Sequence, residues 1–90
     1  MYSIFPSTRF KRDLKVLIKR GDGVEQLGVV VSILAEGKPL PEKYRDHPLR
    51  GAYEGQRECH VMPDLLLIYE ISADELLLYQ VRTGSHSDLF

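Results

Sequence analysis

Residues 57–81 read Arg57-Glu58-Cys59-His60-Val61-Met62, then Pro63-Asp64, then Leu65-Leu66-Leu67-Ile68-Tyr69-Glu70-Ile71, then Ser72-Ala73-Asp74, then Glu75-Leu76-Leu77-Leu78-Tyr79-Gln80-Val81. Three β-prone runs are parted by two short turns. Connections this short join antiparallel neighbours, because a parallel crossover needs a dozen or more residues. The stretch therefore predicts a three-stranded meander with strands over 57–62, 65–71 and 75–81.

Upstream, Tyr2-Ser3-Ile4-Phe5 runs into Pro6 and reads as a short first strand. Ser7 or Thr8 can cap the helix that follows, where Phe10, Leu14, Leu17 and Ile18 recur at helical spacing. Gly21 stops that helix, and Asp22 with Glu25 resembles a capping box for a second one. Val24, Leu27, Val31 and Leu34 mark its apolar face up to Gly37, with the β-prone run Val29-Val30-Val31 pulling the other way. Two helices with a glycine joint suggest an antiparallel hairpin. Residues 38–55 carry Pro39, Pro41, Pro48, Gly51 and Gly55 without a period, and predict a long loop. Residues 82–90 predict a final helical turn. The order β-α-α-β-β-β predicts an α+β fold, a single domain over 1–90 with a helical hairpin packed on an antiparallel sheet.

Composition narrows the class. A chain of 90 residues with 43% hydrophobic and 28% charged side chains is neither a disordered tail nor a collagen-like or coiled-coil rod. The densest apolar run, Leu65 to Tyr69, is far too short to cross a membrane. The N-terminus lacks a secretory pattern and Cys59 stands alone, so a cytoplasmic, reducing setting is expected. The net charge of −1 is unevenly spread. Residues 1–20 sum to +5 and 38–57 to +2, against −3 for 21–37 and −5 for 58–90. A basic first segment can face a phosphate backbone even in a near-neutral protein.

Three histidines sit beside turns or strand ends: His47 in the loop, His60 before the Asp64 turn, and His86 past Arg82. In a meander the end of 57–62 and the end of 75–81 both adjoin the start of 65–71. That topology gathers His60, Asp64, Arg82 and His86 on one rim. Imidazoles, a carboxylate and a guanidinium together suit cleavage of a phosphodiester: one neutral imidazole takes a proton, a protonated one gives it back, and the guanidinium balances charge on phosphorus. A metal site built from His47, His60, His86, Asp64 and Glu58 is the competing reading, but the spacing fits no familiar ligand pattern. Cys59 alternates with Glu58 and His60 and so faces away from both, as a buried apolar cysteine does.

The blocks Asp46-His47-Pro48-Leu49-Arg50-Gly51, Arg57-Glu58-Cys59-His60-Val61-Met62-Pro63-Asp64, Leu67-Ile68-Tyr69 and Arg82-Thr83-Gly84-Ser85-His86-Ser87-Asp88-Leu89-Phe90 resemble the YafQ branch of the RelE/ParE toxin superfamily. The resemblance implies a RelE-like, microbial-RNase-like fold. It also implies a ribosome-dependent endoribonuclease, an mRNA interferase cutting mRNA by metal-independent attack of the ribose 2′-OH, with no cofactor. A DinJ-like antitoxin would neutralise it, and operator DNA would be bound only through that complex. Carried over, His47, His60, Asp64 and His86 are the catalytic set. Arg82, Phe90, Arg50 and Glu58 bind RNA or stabilise phosphate. Asp64 would orient an imidazole. Leu65 stands where a relative has Trp, and Glu58 where relatives often have Asp. A catalytically weak toxin fold, acting mainly as an antitoxin-binding co-repressor, is the alternative.

Overall fold

A computed structural model describes residues 1–90. Its elements are β1 (Ser3–Pro6), α1 (Thr8–Arg20), α2 (Val24–Ala35), β2 (His47–Pro48), β3 (Arg57–Met62), β4 (Leu65–Ser72), β5 (Leu77–Gly84) and α3 (His86–Leu89). Two short 3-10 turns, Glu42–Tyr44 and Gly51–Tyr53, flank β2. The meander forms as expected, with β4 antiparallel to both β3 and β5.

The sheet is mixed, not antiparallel throughout. Its order is β1-β5-β4-β3-β2, and β1 pairs with β5 in parallel. Two helices and three strands separate β1 from β5, ample for a parallel return. The two-residue β2 interrupts the expected loop, pairing His47 with Glu58 and Pro48 with Arg57. Proline has no N–H to donate, and an edge strand tolerates that.

Ser7 caps α1 by accepting from the Phe10 N–H, and Gly21 closes it in a left-handed conformation. Asp22 is not the cap of α2. Gly23 is, at φ 77° with no side-chain cap bond, and a Cβ there would collide with Leu65. Close approach of the helix start to β4 thus decides the residue. The Val29-Val30-Val31 run is helical despite its β propensity, because Val30 and Val31 are buried against the sheet. β5 extends to Gly84, so Arg82 lies within the strand.

Alternation along β4 sends Leu65, Leu67 and Tyr69 into the main core beneath α1 and α2. Leu66 and Ile68 point to the other face, where they meet Leu89 of α3 with Leu49, Tyr53 and Val81 around them. The register sets Glu58 and His60 on this second face, opposite Ile68 and Leu66. No helix is long and apolar enough to cross a membrane.

Candidate active site

Asp46 sets the position of His47. Its carboxylate accepts from the Tyr69 hydroxyl and from Nε and Nη2 of Arg57. Burial and the bond to Asp46 both push the Tyr69 hydroxyl well above the usual phenol range. The Asp46 bond in turn raises the Arg57 guanidinium. Residue 47 then pairs with β3, and its ring Nδ1 lies 2.7 Å from the Arg45 carbonyl oxygen. A carbonyl only accepts, so Nδ1 carries the proton and Nε2 is left to face the site. Arg45 has a left-handed backbone (φ 49°), uncommon outside glycine, and that turn aims its carbonyl at His47.

Glu58 is the carboxylate that reaches the imidazoles. Its side chain is 7% exposed, and its Oε1 lies 3.5 Å from Nε2 of His47 and 3.9 Å from Nε2 of His60. The two rings are 6.3 Å apart. Asp64, expected to orient an imidazole, is exposed in the β3–β4 turn and hydrogen-bonds to none. It lines a separate cleft with Arg20 and Ser85.

Across β4 stands an aromatic flank. The register places His60 opposite Leu66, and Leu66 opposite Gly84. Glu58 lies opposite Ile68, and Ile68 opposite Arg82. Leu66 and Ile68, both essentially buried, thus form an apolar strip between the histidine pair and the chain end. There Ser85 and Asp88 form a reciprocal capping box that starts α3. One helical turn brings His86 and Phe90 together, with ring centroids 5.1 Å apart. Tyr53 meets Phe90 edge-on at 5.7 Å.

Arg82 is gripped from behind. Its Nε and Nη2 donate to the two carboxylate oxygens of Asp13, at 3.1 and 2.9 Å, and the Thr83 N–H donates to the same carboxylate. Both side chains are mostly buried, and the hydrogen bonds to Asp13 raise the Arg82 guanidinium, with Tyr53 contributing less. Arg50 is exposed at the start of the Gly51–Tyr53 turn and forms no ion pair. Leu65 is buried in the main core and offers no stacking face. Cys59 is fully buried, its thiol pushed up to about 12 chiefly by that burial.

Sequence reading overlooked Tyr53, Asp13 and the Arg45 carbonyl. For Asp13 a signal existed, since it is the sole acid among the six bases of residues 1–20. Tyr53 lies in an aperiodic loop, and only the tertiary fold brings it to Phe90. The fold gathers no group of three or more His, Cys, Asp or Glu side chains at metal-ligand distances.

The family model described as a bacterial toxin of type II toxin–antitoxin systems, YafQ, matches residues 2–90. The mRNA interferase toxin YafQ of Escherichia coli strain K12 is 40% identical over 85 residues, covering 93% of this chain and 90% of that protein. The crystal structure of a metal-bound toxin from Helicobacter pylori is 50% identical and superposes with a TM-score of 0.92, all of both chains being covered. A chain of the Escherichia coli DinJ–YafQ complex superposes at 0.90 with 37% identity, covering 100% of this chain and 99% of that one. Family pattern and fold agree from one end of the sheet to the other, and this chain belongs to the YafQ family of type II toxins.

Proposed function

We propose that this chain is an mRNA interferase acting in the cytoplasm, an endoribonuclease that cuts mRNA on the ribosome. The observation that carries the reading is the pair of imidazoles beside the Glu58 carboxylate, on a strand that β4 separates from the end of β5 leading to His86 and Phe90. The name of the Escherichia coli relative supports the same activity.

The substrate supplies its own nucleophile. The ribose 2′-oxygen attacks the adjacent phosphorus, its proton passes to an imidazole, and the bond to the 5′-oxygen breaks. The products are a 2′,3′-cyclic phosphate and a 5′-OH. Nε2 of His47 or His60 takes the proton, and the nearby Glu58 carboxylate balances the imidazolium that results. His86 protonates the leaving oxygen. Arg82, fixed by Asp13, steadies the equatorial oxygens. Phe90 and Tyr53 give a base an aromatic surface to lie against. Asp64 and Arg50 are rim residues whose roles are read through contact with RNA.

The partner is a DinJ-like antitoxin, as in the DinJ–YafQ complex of the relative. It would block the nuclease and carry the toxin to operator DNA. The test is purified protein on ribosomes programmed with a defined mRNA, in magnesium buffer. Cuts only on the ribosome, with cyclic-phosphate ends, are expected, and His86→Ala should lower turnover at least ~10²-fold without unfolding the chain. Intact mRNA with folded wild-type protein would leave an antitoxin-binding co-repressor instead.

A further inference from the structure

A groove of about 540 Å³ lies beside His60, between the Glu42–Tyr44 turn and α2. Its volume falls in the range of small-ligand sites. It exists because β2 is so short. β2 pairs with β3 only at Arg57 and Glu58, so the outer edge of β3 is bare alongside His60 and Met62. Lys43 and Arg45 line one wall, Gln26 of α2 the other, and no carboxylate lines it. Both bases are exposed, and neither joins an ion pair. The Lys43 ammonium rests 5.1 Å above the Tyr44 ring, which packs on the main core and braces that wall.

Two further observations tie the groove to the histidines. His60 lines it, so it is continuous with the site. Arg45 belongs to both regions, because its carbonyl holds His47 Nδ1 while its side chain lines the groove. A polyanion crossing the Glu58 imidazoles and leaving past His60 meets two unpaired cations on a firm wall.

We infer that this groove seats the RNA strand next to the cleaved bond, with Lys43 and Arg45 on the phosphate of that flanking nucleotide. The inference rests on the nuclease reading above and adds the place where the strand is held. Phosphate contacts position a strand without reading its sequence, so the groove supplies register and affinity at any codon.

The first experiment uses binding alone. Wild-type protein is titrated with a 2′-O-methyl hexanucleotide, which has no nucleophile and cannot be cut, and amide shifts are followed by NMR. Shifts at residues 43–45, His60 and Met62 are expected. Shifts confined to the Tyr53–Phe90 flank, or none up to several millimolar, would overturn the groove whether or not the protein is a nuclease.

The second experiment uses programmed ribosomes and the variant Lys43→Gln/Arg45→Asn, asparagine being at ease in the left-handed backbone of residue 45. KM should rise at least ~10-fold, far more than kcat falls, as for lost uniform binding. Lys43→Arg should retain wild-type KM. The salt dependence of hexanucleotide binding should flatten by about 0.7 per lost contact, the value for single strands. Equal KM and equal salt slope in an active wild-type background would also overturn the inference. An inactive wild-type would count against the nuclease reading alone, leaving the titration to judge the groove.

Discussion

His47 and His60 converge on one atom: the Nε2 nitrogens of both rings point to Oε1 of Glu58, at 3.5 and 3.9 Å. A carboxylate with a side chain only 7% exposed is weakly screened by water, so its charge acts strongly on whichever of these rings becomes protonated. Glu58→Gln keeps the shape and removes the charge. On programmed ribosomes it should lower kcat at least ~10-fold with a smaller change in KM, because an imidazolium formed during reaction loses its counter-charge. Wild-type kcat in a folded Glu58→Gln protein would remove Glu58 from the machinery.

Asp13 is predicted to act through Arg82. Asp13→Ala strands a guanidinium whose side chain is 15% exposed and leaves the Thr83 N–H without its acceptor. The stability loss should be about 2–4 kcal/mol, as when one partner of a largely buried pair is deleted. Urea unfolding measures it. A loss within ~0.5 kcal/mol would mean that solvent replaces the carboxylate freely.

Two glycines, one inside α2 and one at its cap, should respond with opposite signs. Gly28 is a helical glycine with open space where a methyl would stand, so Gly28→Ala should stabilise by about 0.5–1 kcal/mol. Gly23 has φ 77° and Leu65 in the path of a Cβ, so Gly23→Ala should destabilise by about 1–3 kcal/mol. Thermal melts of the two variants check the pair. The same sign for both would show that backbone conformation at the cap is not what selects glycine.

Acid should loosen α3. The Asp88 carboxyl is held down to about 2 from 3.8, first by the hydrogen bond from Arg20 and then by those from Ser85. A carboxyl lowered in the folded state stabilises fully above its unfolded value and loses that contribution as pH falls through the folded one. Asp88→Asn should therefore melt below wild type at neutral pH, with the gap closing as pH falls from about 3.8 towards 2. A gap constant across that window would assign the effect to the cap geometry and not to charge.

Much of the fold was legible because it is local. Short turns fixed the meander, and the apolar period fixed α1 and α2. The parallel partner of β1 was not legible, since nothing near Ser3–Pro6 encodes a strand more than seventy residues on. β2 is two residues long and shows no period. In the site, alternation correctly turned Cys59 inward and away from His60. The same alternation sets Glu58 on the face of His60, two residues earlier, which marks it as the nearer carboxylate in space. Tyr53 and Asp13 depend on contacts across the chain, and their neighbours in sequence give no hint of Phe90 or Arg82.

The Asp46 tether ties the histidine segment to distant parts of the sheet. Its partners, Arg57 and Tyr69, come 11 and 23 residues later in the chain. The segment bearing His47 cannot be pinned until β3 and β4 are both laid down, since its anchor is a hydroxyl in the middle of the second. The two helices are local elements, whereas the histidine pair is complete only where Asp46, Arg57 and Tyr69 meet. The placement of His47 is thus a property of the whole sheet and not of the loop that carries it.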